Sequence, residues 1–159
     1  MRKRILDPQQ TMATPAAAGL DVAAIATALI TSEAPDHPID HAFDGRGGPG
    51  ASRWIAAGPG DQTLILAFDA PQAIRRIGLE IEEPAVSRTQ ELQLSVSRDG
   101  GRSYQELLRQ EYTFSPPGTT WEREEWTVNV DAVTHLRLWI RPDKGGAPCR
   151  ASLTALRLE

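Results

Sequence analysis

From Arg53 onward, apolar residues recur at every second position through most of the chain. Leu64, Leu66 and Phe68 alternate with polar neighbours, as do Ile77, Leu79 and Ile81, then Leu92, Leu94 and Val96, then Trp126, Val128 and Val130, and finally Leu136, Leu138 and Ile140. A period of two puts one face of each segment in a core and the other in water, which predicts half-buried strands. Turn-forming clusters separate them: Gly58-Pro-Gly-Asp61, Asp69-Ala-Pro71, Arg98-Asp-Gly-Gly101, Ser115-Pro-Pro-Gly118 and Asp143-Lys-Gly-Gly146. Tyr104 to Phe114 and Ala151 to Leu158 bring the number to about eight strands. The last of these breaks phase between Leu153 and Leu156, where a bulge is expected. Short one-sided strands without long helices between them predict an all-β, antiparallel sandwich.

The chain before Arg53 reads differently. Residues 1–18 show no period and are expected to form a flexible N-terminal arm, leaving residues 19–159 as a single sandwich domain. Leu20 to Ser32 predicts a turn of helix or coil to about Ala24 and then a first strand, because alanines give way to Thr27-Ala-Leu-Ile-Thr31 before a turn. Asp36-His37-Pro38 supplies a cap and a proline suited to a first helical position, so a short helical turn is expected near residues 38–43, ending at Asp44-Gly45. His37 and His41, with Asp40 and Asp44, concentrate polar chemistry there. Their spacing fits either a transition-metal face or, with no third nitrogen or sulfur ligand nearby, residues that cap the turn and face water.

Composition narrows the function. A formal net charge of −4 argues against a general nucleic-acid binder, which needs a concentrated basic surface. The single cysteine, Cys149, cannot form an intramolecular disulfide. Met1-Arg-Lys-Arg4 is followed by Asp7, Gln9 and Gln10, not by an apolar run, so an export signal is not indicated and a cytoplasmic location is expected, with export left open. Val22 to Ile30 is too short to span a bilayer, so no membrane partner is expected. No Gly-x-Ser-x-Gly, Walker loop or His-Glu-x-x-His occurs, and Glu122 and Glu124 read as a solvated strand face. The chain is therefore expected not to be an enzyme.

Several short motifs together carry a resemblance. Ser32-Glu33, His37-Pro-Ile39, Ala42-Phe-Asp-Gly45, Ser52-Arg-Trp54, a strand ending near Phe68, Ser95-Val-Ser-x-Asp-Gly100 before Tyr104, and a final Leu-x-x-Leu-x-Leu158 are similar to the galactose-binding jelly-roll superfamily. Discoidin domains, coagulation-factor C-type domains and many bacterial carbohydrate-binding modules belong to it. The resemblance covers about residues 27–158. It implies an eight-stranded jelly roll, a ligand held by loops at one end, no catalysis, and often a structural calcium near the Asp-Gly loop. By that resemblance Asp44, Gly47 and Ser52 would sit at the metal position. The chain departs from the pattern at Ala155, where many sugar-binding relatives place a glutamate. No cofactor is required, and calcium is the one such group the resemblance raises.

Loop position and chemistry select His37, Arg88, Phe114, Trp121 and Arg123 as candidates for binding carbohydrate or a similar polyhydroxylated ligand. Phe114, Trp121 and Arg123 flank the Ser115–Thr120 loop, and Arg88 either reaches the ligand or pairs with Glu83. Trp126 shares the phase of Val128 and Val130 and is expected in the core. Trp139 is out of phase with its apolar neighbours and shares a wet face with His135, Arg137 and Arg141. That face suggests an alternative role, a protein-interaction surface or homodimer contact. In the hairpin Ser97 to Tyr104, which matches a sialidase-propeller turn in one copy, Asp99 is expected to bond backbone donors while Tyr104 returns to the core.

Overall fold

A computed structural model describes residues 19–159; the arm expected over residues 1–18 lies outside them. A one-turn helix α1 (Val22–Ile25) leads into β1 (Ala26–Ile30), and a 3-10 helix (Ile39–Phe43) precedes β2 (Trp54–Ile55). There follow β3 (Gln62–Glu82), β4 (Arg88–Ser97), β5 (Gln105–Phe114), β6 (Trp121–Arg141), β7 (Ser152–Leu153) and β8 (Ala155–Leu158). All named pairings are antiparallel, in the order β1-β3-β6-β4-β5, with β8 also on β3 and β2 paired to β7.

Four of the strand patterns merge into two strands. β3 and β6 each run for 21 residues, joining the patterns around Leu66 and Leu79 and those around Val128 and Leu138. They pair twice, Gln62–Ala67 with His135–Ile140 and Arg76–Glu82 with Trp121–Thr127, with register shifts between Ala67 and Arg76. On the facing strand Asn129 and Ala132 have φ of 48° and 56°. Two strands bent at one corner fold a continuous sheet into two layers. One layer contains β1, the first half of β3, the second half of β6, β4 and β5; the other contains β8, the second half of β3 and the first half of β6. Leu64 and Leu66 from the first and Ile77, Leu79 and Ile81 from the second meet in one core cluster.

The stretch between β1 and β2 closes the sandwich. Trp54 is only 3% exposed, and its indole N–H donates to Ser32 O at 3.0 Å, tying the two ends of the stretch together. The helical turn forms over Ile39–Phe43 as expected, but its cap differs. The Ile39 N–H donates to a Glu33 carboxylate oxygen at 2.9 Å, so an upstream acid supplies the acceptor expected from Asp36 or His37. Gly45, at φ 77°, then turns the chain out of the helix.

Three further expectations need correction. The phase break near Leu153 marks a change of partner, with β7 pairing β2 and β8 pairing β3, not a bulge within one strand. Glu122 and Glu124 stand opposite Ile81 and Leu79, so both face inward. Tyr112 donates its hydroxyl to Glu124 at 2.8 Å and Gln110 donates its amide to the same carboxylate at 3.2 Å, which replaces the water that Glu124 leaves. Tyr104 does not enter the core: its ring lies 4.0 Å from the Arg137 guanidinium, where cation–π attraction holds it on the outer face. Asp99 behaves as expected, accepting from the Ser103 hydroxyl and N–H and from the Ser97 hydroxyl, and these bonds hold its carboxyl well below the usual range. Trp126 is half-buried against the core.

Candidate functional site

The strand pairings gather five loops at one end. Gln62 pairs with Ile140, Glu82 with Trp121, Arg88 with Phe114 and Glu91 with Arg141, so the segments 31–53, 56–61, 83–87, 115–120 and 142–151 emerge together. Beneath them is a polar plug. Arg88 and Gln90 share the inward phase of Leu92, Leu94 and Val96 and are buried. Arg88 donates from Nε to Glu83 at 2.8 Å and from Nη1 to Gln90 Oε1 and Pro142 O, each at 2.8 Å, while its guanidinium stacks 5.1 Å from the Phe114 ring centroid. Arg88 Nη2 and Gln90 Nε2 find no acceptor among the described residues. With Phe114 only 1% exposed, Arg88 and Phe114 are placed under the loops, not on their surface.

Above the plug, Arg53 is a junction that sequence reasoning missed. The rings of His37 and His41 each place Nδ1 against Arg53 O, at 3.3 and 3.2 Å, and Arg53 Nη1 reaches Glu82 at 3.1 Å. His37 therefore positions the segment carrying Arg53. Through these contacts the two histidines fasten the loop, and among the described residues no cluster of three His, Cys, Asp or Glu side chains gathers in metal-binding geometry.

A recess of about 250 Å³ opens beside this junction, walled by Arg53, Ile55, Glu82, Glu83, Val86 and the Pro148–Ser152 strand approach. Arg150 stands exposed on its rim with no ion-pair partner among the described residues. Cys149, buried in the wall, has its thiol pushed up by burial. Val86 is 44% exposed and gives the recess an apolar patch. A larger recess of about 470 Å³ at the 142–148 loop has its charges already matched: Arg141 with Asp61, Lys144 with Glu111, and Asp143 accepting from Thr89 and Ala147 N–H groups. The Ala147 and Thr89 bonds hold the Asp143 carboxyl below its usual range.

Trp121 and Arg123 lie on the outer face of the smaller layer, opposite Glu82 and Glu80 respectively, and both adjoin this end. Arg88 and Phe114 are buried beneath this end, and none of His37, Arg88, Phe114, Trp121 and Arg123 lines the recess. The signal for Arg53, Glu82 and Arg150 was non-local: only the fold brings β3, the β2 approach and the 142–151 loop together.

Asp44, Gly47 and Ser52 occupy the loop that crosses the outer face of the smaller layer. One Asp44 oxygen accepts the Arg46 N–H at 2.9 Å and the other the Ser52 hydroxyl at 2.5 Å. Burial pushes this carboxyl up, but the Ser52 and Arg46 bonds outweigh it and leave it below its usual range. Calcium takes six to eight oxygen ligands, drawn from carboxylates, backbone carbonyls and water. Here the one carboxylate of the 44–53 loop is bonded to loop donors, and the neighbouring Glu80 carboxylate is paired with Arg157.

The alternative face is distinct from the loop end. His135, Arg137, Trp139 and Arg141 alternate along β6, and Arg141 stacks 5.1 Å from the Trp139 ring centroid. Thr63 and Gln93 flank Trp139 in register, and Leu29, 51% exposed, stands beside Ile65, which pairs with Arg137. No helix among the described residues is long and apolar enough to cross a membrane.

No family model matches the sequence, and no curated protein matches it. Solved structures do match. The family 32 carbohydrate-binding module of Clostridium perfringens NanJ, in complex with galactose, is 16% identical, with 88% of this chain and 96% of that one covered at a TM-score of 0.62. CBM32-3 from a family 31 glycoside hydrolase of Clostridium perfringens is 15% identical, covering 91% and 96% at a TM-score of 0.65. Chitosan-binding module 1 of a Paenibacillus sp. IK-5 chitosanase/glucanase is 18% identical, covering 88% and 98% at a TM-score of 0.57. Strand order, a sheet doubled on itself and these likenesses agree: the chain has the galactose-binding-domain-like jelly-roll fold of the family 32 carbohydrate-binding modules.

Proposed function

We propose that the chain is a non-catalytic module that binds carbohydrate at its loop end, in the recess between Arg53, Glu82, Val86 and Arg150. The observation that carries this reading is the recess itself, which brings Arg150, exposed and without an ion-pair partner among the described residues, together with the apolar Ile55 and Val86 and the Glu82 and Glu83 carboxylates. A sugar presents the complementary surface, C–H groups for Val86 and Ile55 and hydroxyls for arginine donors and glutamate acceptors. Trp121, opposite Glu82, extends the site for a second sugar ring, with Arg123 beyond it. Galactose and chitosan appear as ligands of proteins with this fold, which supports the ligand class. Isothermal titration with galactose, N-acetylgalactosamine, galacturonate and chito-oligosaccharides tests it. Dissociation constants of about 1 mM or tighter for at least one of them are expected, and no heat from any at tens of millimolar, roughly, rejects the reading.

A second reading rests on the stripe Leu29, Ile65 and Trp139 across β1, β3 and β6. A half-buried apolar and aromatic stripe that ends in the exposed Leu29 suits a second copy of the chain or another protein. Light scattering that gives a dimer mass, reverting to monomer in Leu29→Lys, supports it; a monomer at all concentrations rejects the homodimer.

A further inference from the structure

We propose that the 44–53 loop is clamped by two glutamate–arginine rungs, and that Arg157 supplies from within the chain the positive charge that a calcium ion would otherwise bring. Glu80 and Glu82 are two apart on β3 and so point to the same outer face of the smaller layer. Each does the same pair of things. Glu80 accepts the Gly48 N–H at 3.0 Å and pairs with Arg157 Nη1; Glu82 accepts the Gly50 N–H at 2.9 Å and pairs with Arg53 Nη1 at 3.1 Å. Two carboxylates, two guanidiniums and two loop amides thus form a charge-balanced ladder.

Burial makes the ladder consequential. The Glu80 side chain is 3% exposed, so its charge has little water to solvate it and depends on Arg157. Gly47 lets the loop settle onto the rung: a Cβ there would lie 2.6 and 3.0 Å from the two Glu80 carboxylate oxygens. A glycine in this place therefore reports close approach of the backbone to the ion pair. For calcium to use Glu80, Arg157 would have to leave, and a cation beside an intact guanidinium is repelled. The Asp44 oxygens already hold Arg46 and Ser52 donors, so the loop side offers no free carboxylate in compensation.

The test uses the full chain. Thermal unfolding in EDTA and in excess calcium chloride should give midpoints that agree within about 1 °C, since a group that binds only the folded state raises the midpoint by mass action. Arg157→Gln should speed trypsin cleavage at Arg46 by roughly tenfold or more, because loss of the rung frees the loop. Arg157→Lys, which keeps the charge but not the fork, should fall between wild type and Arg157→Gln and serves if the glutamine variant fails to fold. A calcium-dependent rise in the wild-type midpoint of several degrees overturns the proposal. So does an unchanged cleavage rate at Arg46 in both variants.

Discussion

The Arg88 guanidinium and the Phe114 ring stand opposite each other in register and stack at 5.1 Å, so a charged group and an aromatic ring together seal the core beneath the loop end. Removing Arg88 strands Glu83 and Gln90 and opens the seal. Arg88→Ala is expected to cost about 3 kcal/mol, the usual scale for breaking a buried pair from one side. Arg88→Lys should recover little, because one ammonium cannot satisfy three acceptors set for a planar fork. Urea midpoints with an unchanged slope check both. Since Arg88 Nη2 and Gln90 Nε2 have no acceptor among the described residues, the double change Arg88→Met with Gln90→Leu should be less damaging than Arg88→Ala alone.

Glu122 faces inward beside Glu124, and burial, then the neighbouring carboxylate, pushes its carboxyl above the usual range. The folded state thus holds this proton more tightly than the unfolded chain. Stability from this residue is greatest below the ordinary carboxylate pKa and falls as pH rises through the raised value. Glu122→Gln should gain roughly 0.5 kcal/mol at neutral pH, after discounting for partial exposure, and flatten this part of the stability profile. Unfolding curves from pH 4 to pH 8, roughly, show whether the slope disappears.

At the loop end, Arg150→Ala should weaken sugar binding about tenfold, equivalent to about 1.4 kcal/mol, and leave the unfolding midpoint unchanged because the side chain is exposed and has no ion-pair partner among the described residues. Trp121→Ala should weaken longer oligosaccharides more than single sugars. Titration of each ligand against both variants, with unfolding as control, separates a binding role from a folding role.

Ala132 holds φ of 56° at the corner of β6, where a Cβ is strained. Ala132→Gly should be neutral or stabilising by up to about 1 kcal/mol, since relief of the left-handed strain offsets glycine's greater freedom in the unfolded chain. An exposed alanine elsewhere, such as Ala73, should lose stability on the same change, and the pair of denaturation curves provides the comparison.

Much of this architecture was legible in the period of two. Leu64 to Phe68, Ile77 to Ile81, Leu92 to Val96 and Leu136 to Ile140 all lie in strands with the predicted faces inward. Extending the same parity would also have turned Arg88 and Gln90 inward from Leu92, and Glu122 and Glu124 inward from Trp126. Charge argued for water and was the weaker guide, because nearby Glu83 and distant Pro142 O replace that water for Arg88, and Tyr112 and Gln110 on the neighbouring strand replace it for Glu124. The recess was less legible. Arg53, Glu82 and Arg150 share no local motif, and the burial of Glu80 depends on a loop more than thirty residues upstream.

Because β3 and β6 run through the corner and pair on both sides of it, neither layer owns its central strands. Pulling the layers apart would shear the same backbone that holds each of them together, so partial unzipping gains little before everything yields. A protease nick near Asp69 in the corner should therefore leave the two fragments associated, because the first half of β3 on one fragment still pairs with the second half of β6 on the other, and β2 still pairs with β7.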